Sequence, residues 1–512
     1  MSLDRQIERI LDESDGRQTL AVLLQLSHPE GLAASLQHAA SEAVRRGVVS
    51  RASDLLPPPY PERTGAEYHA ASTLPLEHYE TTRLIKSWSA IQSESVEVLS
   101  KACTAPILTD LGLAPRPGAR AKNQPLWLAH ALSLEVKRDA LRAVSQALNA
   151  SAVFPNRTFP PPATEQTTGV APEIEPIPYT WGLEKSGALA CWGAFSARGQ
   201  GVKVAVLDTG IHRSHPDLNR QLLQFAEFDR QGKLVAEGLD AAHDDHGHGT
   251  HVCGIITGGC ASGRWIGMAP EARLLVARVL DKAGGTDAQI LAGLAWAVEQ
   301  GADIVNLSLG NLSFEPDVLD TYTTAIFNAR TAGVSVVTAM GNHGSQTSGA
   351  PANDYFALAV GATDRHDQVA GFSAGRAQVV TRSAFFEERH LPFVYLKPEL
   401  SAPGVDIASA DRTGKWRYAS GTSMAAPHVT GALALLLSHP ESSELLTAGL
   451  QSLKGAERVR TLHALLIGSV EPLGEAGQDQ RFGWGRLDVL SAYAQAVRLG
   501  YLPAPVWKAV SS

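Results

Sequence analysis

Apolar residues along the chain follow two different rhythms, and the change comes near residue 178. Before it, TLAVLLQL (19–26) reads as a buried strand. SHPEGLAASLQHAASEAVRR (27–46) follows with a capping-box start, Ser27 and Glu30, and helical spacing. A second helix is expected from Leu76 to near Ala102, with Leu84, Trp88, Ile91 and Leu99 on one face. LWLAHALSLEV (126–136) then reads as a strand, a helix runs through Leu141, Val144 and Leu148, and SAVFPNRTF (151–159) reads as a last strand. A strand and helix, an inserted helix, then strand–helix–strand predict a small α+β domain over 1–159.

Pro-rich stretches lie at 55–65, 113–125 and 159–178, and the last, FPPPATEQTTGVAPEIEPIP, has few bulky apolar residues. It predicts an extended linker over 160–178. Beyond it, short apolar runs alternate with helical segments: VKVAVLD (202–208), LLVARVL (274–280), DIVNLSL (303–309), SVVTAM (335–340) and ALAV (357–360). DAQILAGLAWAVEQG and the stretch from Leu319 to Ala332 supply two of the helices. Runs apolar at every position, interleaved with helices, predict a mostly parallel α/β sheet over 179–500, with a tail at 501–512. Ligands of such sheets bind beyond the carboxyl ends of the strands.

Composition narrows the function classes. The 512 residues are 44% hydrophobic and 19% charged, as in ordinary globular proteins. A net charge of −8 and a pI near 6.1 argue against nucleic-acid partners. Runs of about 18 uninterrupted apolar residues are lacking, so no membrane partner is expected. The first residues, MSLDRQIERILDESDGRQ, lack the apolar core of a signal peptide, which predicts a cytoplasmic protein, with non-classical export as the alternative. Cys103, Cys191, Cys253 and Cys260 show no CxxC pairing and read as free thiols in a reducing compartment.

The densest chemistry is HDDHGHGTHVCG (243–254). His243, Asp244, Asp245, His246, His248 and His251 suit either a metal cage or one histidine in proton transfer. Glycines on both sides of His248 keep it approachable and break the helix that a zinc site of the HExxH kind would need. Upstream, the strand 202–208 ends in Asp208, followed by Thr209 and Gly210. Downstream, SGTSMAAPHVTGALALLL (420–437) sets Ser423 at the start of an apolar helix, where backbone N–H groups favour developing negative charge. TAMGNHG (338–344) presents Asn342, an amide able to donate to an oxyanion.

Asp, His and Ser in that chain order, with VAVLDTGI, HGTHVCG and GTSMAAPHV around them, resemble the three motifs of the subtilisin-like serine proteases, the subtilases. KPELSAPGVDI (397–407) and GWGRLD (483–488) also resemble family segments, so the likeness covers about Tyr179 to Val497. It implies a three-layer sandwich around a mostly parallel sheet, and a serine endopeptidase acting on protein or peptide substrates. Ser423 would be the nucleophile, His248 the general base, Asp208 its orienting partner, and Asn342 an oxyanion donor beside the Ser423 N–H. On this reading His251 is a buried structural residue, and Asp244 and Asp245 sit on a solvated lead-in.

The same resemblance makes Gly284 and Gly285 one substrate-flanking strand and Ser308, Leu309 and Gly310 the other, with an extended peptide pairing between them. Gly349 would form the base of the first specificity pocket and His343 its rim, implying large apolar side chains before the scissile bond. Many subtilases hold structural calcium, and Asp217 matches one ligand position; Ala261 and Gly263 stand where oxygen ligands are expected, so no cofactor is assigned. Cys253 replaces the usual alanine and reads as a small buried hydrophobe, or as a site for mercurials behind the histidine. GRAQVVTRSAFFEERHLPFVY (375–395) reads as an insertion, either a surface hairpin or an exosite. Residues 1–159 loosely resemble the family's propeptide, best over SLEVKRDALRAVSQALNASAVFPN. That implies an intramolecular inhibitor, a zymogen, and cleavage within 160–178. The alternatives are an enzyme that stays latent until a partner acts, and a non-catalytic binding protein on the same scaffold.

Overall fold

In the computed structural model, residues 2–3, 7, 18–27, 50–51, 95–111, 113, 123–162, 178–313, 320–383, 386, 388–438, 449–450 and 452–503 are described. Strands before residue 160 are β1 (Ser2–Leu3), β2 (Thr19–Leu26), β3 (Ser50–Arg51), β4 (Asn123–Leu126), β5 (Ala131–Lys137), β6 (Ala150–Pro155) and β7 (Thr158–Phe159). Five of them form one sheet in the order β1-β6-β2-β5-β4, crossed by helix α1 (Arg138–Ala147).

Side chains alternate across a strand, and β2 is apolar on both faces. Leu20, Val22, Leu24 and Leu26 pack with Leu99, Leu141 and Val144 in the core of this domain. Leu23 faces the other way, into a cluster shared with Ile290, Leu294 and Ile326 of the following domain. The second face of the N-terminal sheet is therefore covered by the rest of the chain.

The run LWLAHALSLEV is not one strand. A turn at Trp127–Ala129, closed by His130 in the left-handed conformation (φ 48°), folds β4 back antiparallel on β5. The turn escapes a reading of pattern because it is buried and apolar, its Leu128 carbonyl accepting from Asn328 Nδ2 at 2.8 Å. SAVFPNRTF likewise divides into β6 and β7, because Asn156 and Arg157 turn away to bond the following domain. The helix expected over 27–46 falls almost wholly outside the described residues; of the one expected from Leu76, residues 95–103 are helical and the rest lie outside. Residues 163–177 of the expected linker and 504–512 of the expected tail lie outside as well.

Beyond residue 178 the strands are β8 (Lys203–Asp208), β9 (Leu222–Phe228), β10 (Leu234–Glu237), β11 (Arg273–Arg278), β12 (Leu280–Asp281), β13 (Gly284–Thr286), β14 (Ile304–Leu307) and β15 (Asn311–Ser313). They continue with β16 (Ser335–Ala339), β17 (Ser348–Ala350), β18 (Leu358–Thr363), β19 (Arg376–Val380), β20 (Phe393–Lys397), β21 (Leu400–Pro403), β22 (Ile407–Ala410) and β23 (Trp416–Ala419). Eight of these make one sheet, β10-β9-β11-β8-β14-β16-β18-β21, parallel at every pairing except the edge hairpin β10–β9.

Helices α2 (His248–Thr257) and α5 (Thr422–Leu436) cover one face of that sheet, α3 (Asp287–Glu299) and α4 (Asp320–Thr331) the other. The strand residues divide accordingly: Val204 and Val206 pack under α2 and α5, Ala205 and Leu207 under α3 and α4. This is the mostly parallel α/β sheet that the apolar runs predict, in the three-layer sandwich that the family resemblance implies. The insertion at 375–395 contains the hairpin β19–β20, whose outer edge pairs with β3. Val380, Phe386 and Tyr395 enter the core, so only part of the insertion is surface. Among the described residues no helix is long and apolar enough to cross a membrane.

The two domains are joined by polar contacts around the shared apolar cluster. Arg157 donates through Nε and Nη2 to both oxygens of buried Asp287, each at 3.0 Å, and through its backbone N–H at 2.9 Å. Asn156 Oδ1 accepts from Ala288 N at the start of α3, Trp127 Nε1 donates to Glu299 at 2.6 Å, and Gln25 Nε2 to Thr324 at 3.0 Å. Removing one partner of a buried pair strands the other charge, at a cost on the order of 3 kcal/mol. Arg157→Ala should therefore lower the denaturant midpoint at which the N-terminal domain separates, read by limited proteolysis. An unchanged midpoint would show that the docking does not depend on this pair.

Candidate active site

Asp208 ends β8, and its carboxylate is wholly buried. The backbone N–H of Thr209 donates to its Oδ1 at 2.7 Å, which turns the side chain over the end of the sheet. His248 is the first residue of α2, and its Nδ1 lies 2.8 Å from the same oxygen. That approach depends on Gly249: a Cβ there would lie 2.2 Å from the Gly210 carbonyl and 3.2 Å from the Asp208 Cβ. The tight fit, which glycine alone permits, brings the start of α2 down onto the strand end. With Nδ1 given to the carboxylate, His248 Nε2 is the ring's other face, and it has no hydrogen-bond partner among the described residues.

Ser423 is the second residue of α5 and is 7% exposed. Its Oγ donates to the Ser308 carbonyl at 3.1 Å, while Ser308 Oγ donates to the Ser423 carbonyl at 2.9 Å. The contact locks α5 to the end of β14, the strand beside β8. Since Asn306 pairs with Val206, the parallel register carries Ser308 level with Asp208. Asn306 Nδ2 in turn donates to Ser308 Oγ, and Thr430 Oγ1 to Asn306 Oδ1, both at 2.9 Å. In this state Ser423 is thus held by Ser308 rather than by His248.

Asn342 follows β16. Its Oδ1 accepts from the N–H and the hydroxyl of Thr422, both at 2.9 Å, and Gly341 N donates to the same hydroxyl at 3.0 Å. Two donors on one end of the amide fix that end as oxygen. The NH₂ end then faces Gly421, next to the start of α5. Thr422, Asn306 and Thr430 were not singled out in the sequence. Thr422 sits inside the GTS motif, but the orienting roles of all three arise from contacts some 80 to 124 positions apart.

The expected channel is taken by the chain itself. β7 pairs antiparallel with β13, Phe159 opposite Gly285 and Thr158 opposite Thr286. Phe159 is buried, its carbonyl lies where a Cβ of Gly284 would fall, and Asn311 Nδ2 donates to the Thr158 carbonyl at 3.3 Å. Leu309 and Ser308 are buried beside Gly310, ahead of β15. Gly349 lies in β17, opposite Leu312 of β15, and His343 is exposed.

The histidine cluster separates into unrelated environments. His243 Nδ1 lies 2.9 Å from the Ala241 carbonyl, and buried His251 Nε2 lies 3.2 Å from the Arg417 carbonyl. With His248 on Asp208, these rings do not converge on a common ion. Among the described residues there is no group of three or more His, Cys, Asp or Glu that could hold a metal. The lead-in is also not uniformly solvated. Asp245 is exposed and pairs with Arg278 at 3.2 Å, but Asp244 points inward and accepts five hydrogen bonds.

Calcium does not fit at Asp217. Its Oδ1 accepts from Ala261 N and its Oδ2 from Trp416 Nε1, both at 2.6 Å, and its backbone carbonyl from Gly259 N at 3.1 Å. Each of these oxygens is turned to an N–H donor, where a calcium site would gather six to eight oxygens around the ion. Cys253 is fully buried in α2; burial, with the charges of Asp208 and Asp244, pushes its thiol well up, which suits a packing residue.

The Subtilase family profile matches residues 199–485. The chain is similar to the major intracellular serine protease of Bacillus subtilis, 37% identical over 259 residues, or 49% of this chain and 72% of that protein. It is likewise similar to Subtilisin Savinase of Lederbergia lenta, 37% identical over 257 residues (50% and 83%), and to Subtilisin E of Bacillus subtilis, 34% over 307 residues (59% and 72%).

Burial around the two covering helices sets a pH dependence. It pushes His251 down to about 3, with Arg417 adding, and His428 of α5 down to about 4. Both stay neutral when folded and protonate near 6.5 when unfolded, so stability is complete above about pH 6.5 and is lost as the pH falls toward 4. Melting temperatures should therefore drop between about pH 7 and 5, less steeply in His428→Asn. Equal slopes would exclude His428 as a contributor.

Proposed function

The chain belongs to the subtilase family and is a serine endopeptidase, and on that premise we propose that Asp208, His248 and Ser423 are its triad and Asn342 its oxyanion donor. The observation that carries the assignment is the buried Asp208–His248 hydrogen bond at 2.8 Å, at the sheet end where α2 and α5 begin. In the cycle, Ser423 Oγ leaves the Ser308 carbonyl and attacks the substrate carbonyl as its proton passes to His248 Nε2. Asp208 holds the imidazole with Nε2 outward and stabilises the imidazolium. The oxyanion takes hydrogen bonds from Asn342 Nδ2 and the Ser423 N–H. His248 returns the proton to the leaving amine, and water then cleaves the acyl-enzyme by the same steps reversed. The peptide lies between Gly284–Gly285 and Ser308–Gly310, with Gly349 at the first pocket and a large apolar side chain in it.

The protein is made as a zymogen, with residues 1–159 as the intramolecular inhibitor. Support comes from the pairing of β7 with β13, which fills the edge a substrate strand would add to, and from Ser423 resting on Ser308. Maturation is cleavage within 160–178. No metal or cofactor is assigned, and the N–H donors that bond the Asp217 carboxylate support leaving calcium out there. Four thiols, none in a disulfide, suit a reducing, cytoplasmic setting, and one relative is named an intracellular protease. A latent form released only by a partner is the second reading, favoured by the apolar cluster that the two domains share.

Intact masses of wild type and Ser423→Ala, expressed alike, separate these. Wild type cut within 160–178 beside an uncut variant is the expected result. Two uncut proteins would exclude self-processing and leave the latent form, and two equally cut proteins would assign the cut to another protease.

A further inference from the structure

Asp244 lies four residues before His248, in a loop whose paired aspartates look solvent-facing in the sequence. Its Oδ1 accepts from Thr209 Oγ1 at 2.9 Å, His246 N at 3.0 Å and Gly247 N at 2.7 Å. Its Oδ2 accepts from Thr250 N at 2.9 Å and Thr250 Oγ1 at 2.6 Å. An aspartate that merely capped α2 would need only the N–H groups of Gly247 and Thr250. This one also reaches across to the strand that carries Asp208.

Thr209 completes the link. While donating to Asp244, its hydroxyl accepts from Gly249 N at 2.9 Å, and its own N–H donates to Asp208 Oδ1. Thr250 Oγ1 ties back in turn, accepting from His212 N at 2.9 Å, and Gly210 bridges Asp244 through the backbone. The hydrogen bonds run from Asp208 through Thr209 and Asp244 to Gly247 and Thr250, and the backbone between those two carries His248, whose Nδ1 returns to Asp208. No other side chain of the loop touches both the strand end and the helix start among the bonds described.

We propose that Asp244 is a positioning residue that sets Asp208 and His248 in register by fastening β8 to the start of α2; this rests on the triad reading above. Its carboxyl sits below the usual carboxylate range: burial pushes it up, but hydrogen bonds from Thr250, Gly247 and Thr209 outweigh that, so it is anionic at neutral pH. Around it and His248 lie Asp208, His246, His251, Cys253 and Arg417. The anion stands with that of Asp208 near the start of α2, with the Arg417 cation close by.

The test is steady-state hydrolysis of a fluorogenic peptide by the full chain after the linker is nicked. It compares wild type, Asp244→Asn, Thr209→Val and Thr209→Ser. A sub-ångström misplacement of a reacting group costs up to about a hundredfold, so kcat should fall about tenfold to a hundredfold in Asp244→Asn and in Thr209→Val. KM should stay within about twofold, because the peptide-binding strands are untouched. Thr209→Ser, which restores the hydroxyl, should recover kcat. Wild-type kcat in both variants, or losses confined to KM or to melting temperature, would overturn the proposal. If Asp244→Asn does not fold, the Thr209→Val and Thr209→Ser pair decides alone. An inactive wild type would remove the triad reading and the proposal with it, whereas an active wild type beside unaltered variants removes only the proposal.

Discussion

The hydrogen bond between Asp208 and His248 has no exposure on either side chain, and the rest of the architecture serves to make it possible. A carboxylate out of water is costly unless its lone pairs find donors. Here the Thr209 N–H and the His248 imidazole both bond Oδ1, while Oδ2 has no partner among the described residues, so the carboxylate depends on rigid placement of those two donors. That rigidity comes from a sheet apolar on both faces. With Val204 and Val206 under α2 and α5, and Ala205 and Leu207 under α3 and α4, a one-residue slide of β8 would turn each set onto the cover packed against the other. The strand end is fixed, and so is the carboxylate at its tip.

The same economy governs the relation between domains. The N-terminal sheet is too small to cover both of its own faces, and Leu23, Leu128, Phe154 and Phe159 complete a cluster otherwise built from α3 and α4. The face that stabilises the small domain thus carries β7 to the edge of β13. The burial that completes the small domain also lays β7 along β13, with Arg157 on Asp287 beside that pairing.

Much of this was legible in the sequence, for identifiable reasons. The runs at 202–208, 274–280, 303–309, 335–340 and 357–360 became β8, β11, β14, β16 and β18 because strands buried twice show no alternation and end at turns. Asp208, His248, Ser423 and Asn342, the proposed site, stand out in the sequence because each lies in a short motif with a glycine within two residues. What stayed hidden depends on contacts between distant segments. Asp244 reads as surface because two adjacent aspartates usually are; only Thr209 and Thr250, supplied by other elements, make burial tolerable. The turn at 127–130 is masked because α4 covers it. The insertion at 375–395 gives no sign that Phe386 and Tyr395 enter the core. At Asp217 the motif suggests a metal ligand, and nothing in the sequence signals that the indole of Trp416, about 200 residues away, donates to its Oδ2.

The central claim is that Ser423 is a nucleophile activated through His248. Covalent capture by a fluorophosphonate, mapped by mass spectrometry of the digested protein with the linker nicked, tests it most directly. The account predicts one adduct, on the peptide containing Ser423, and loss of that adduct in His248→Ala. No adduct in the nicked wild type, or an adduct that persists unchanged in His248→Ala, would contradict it.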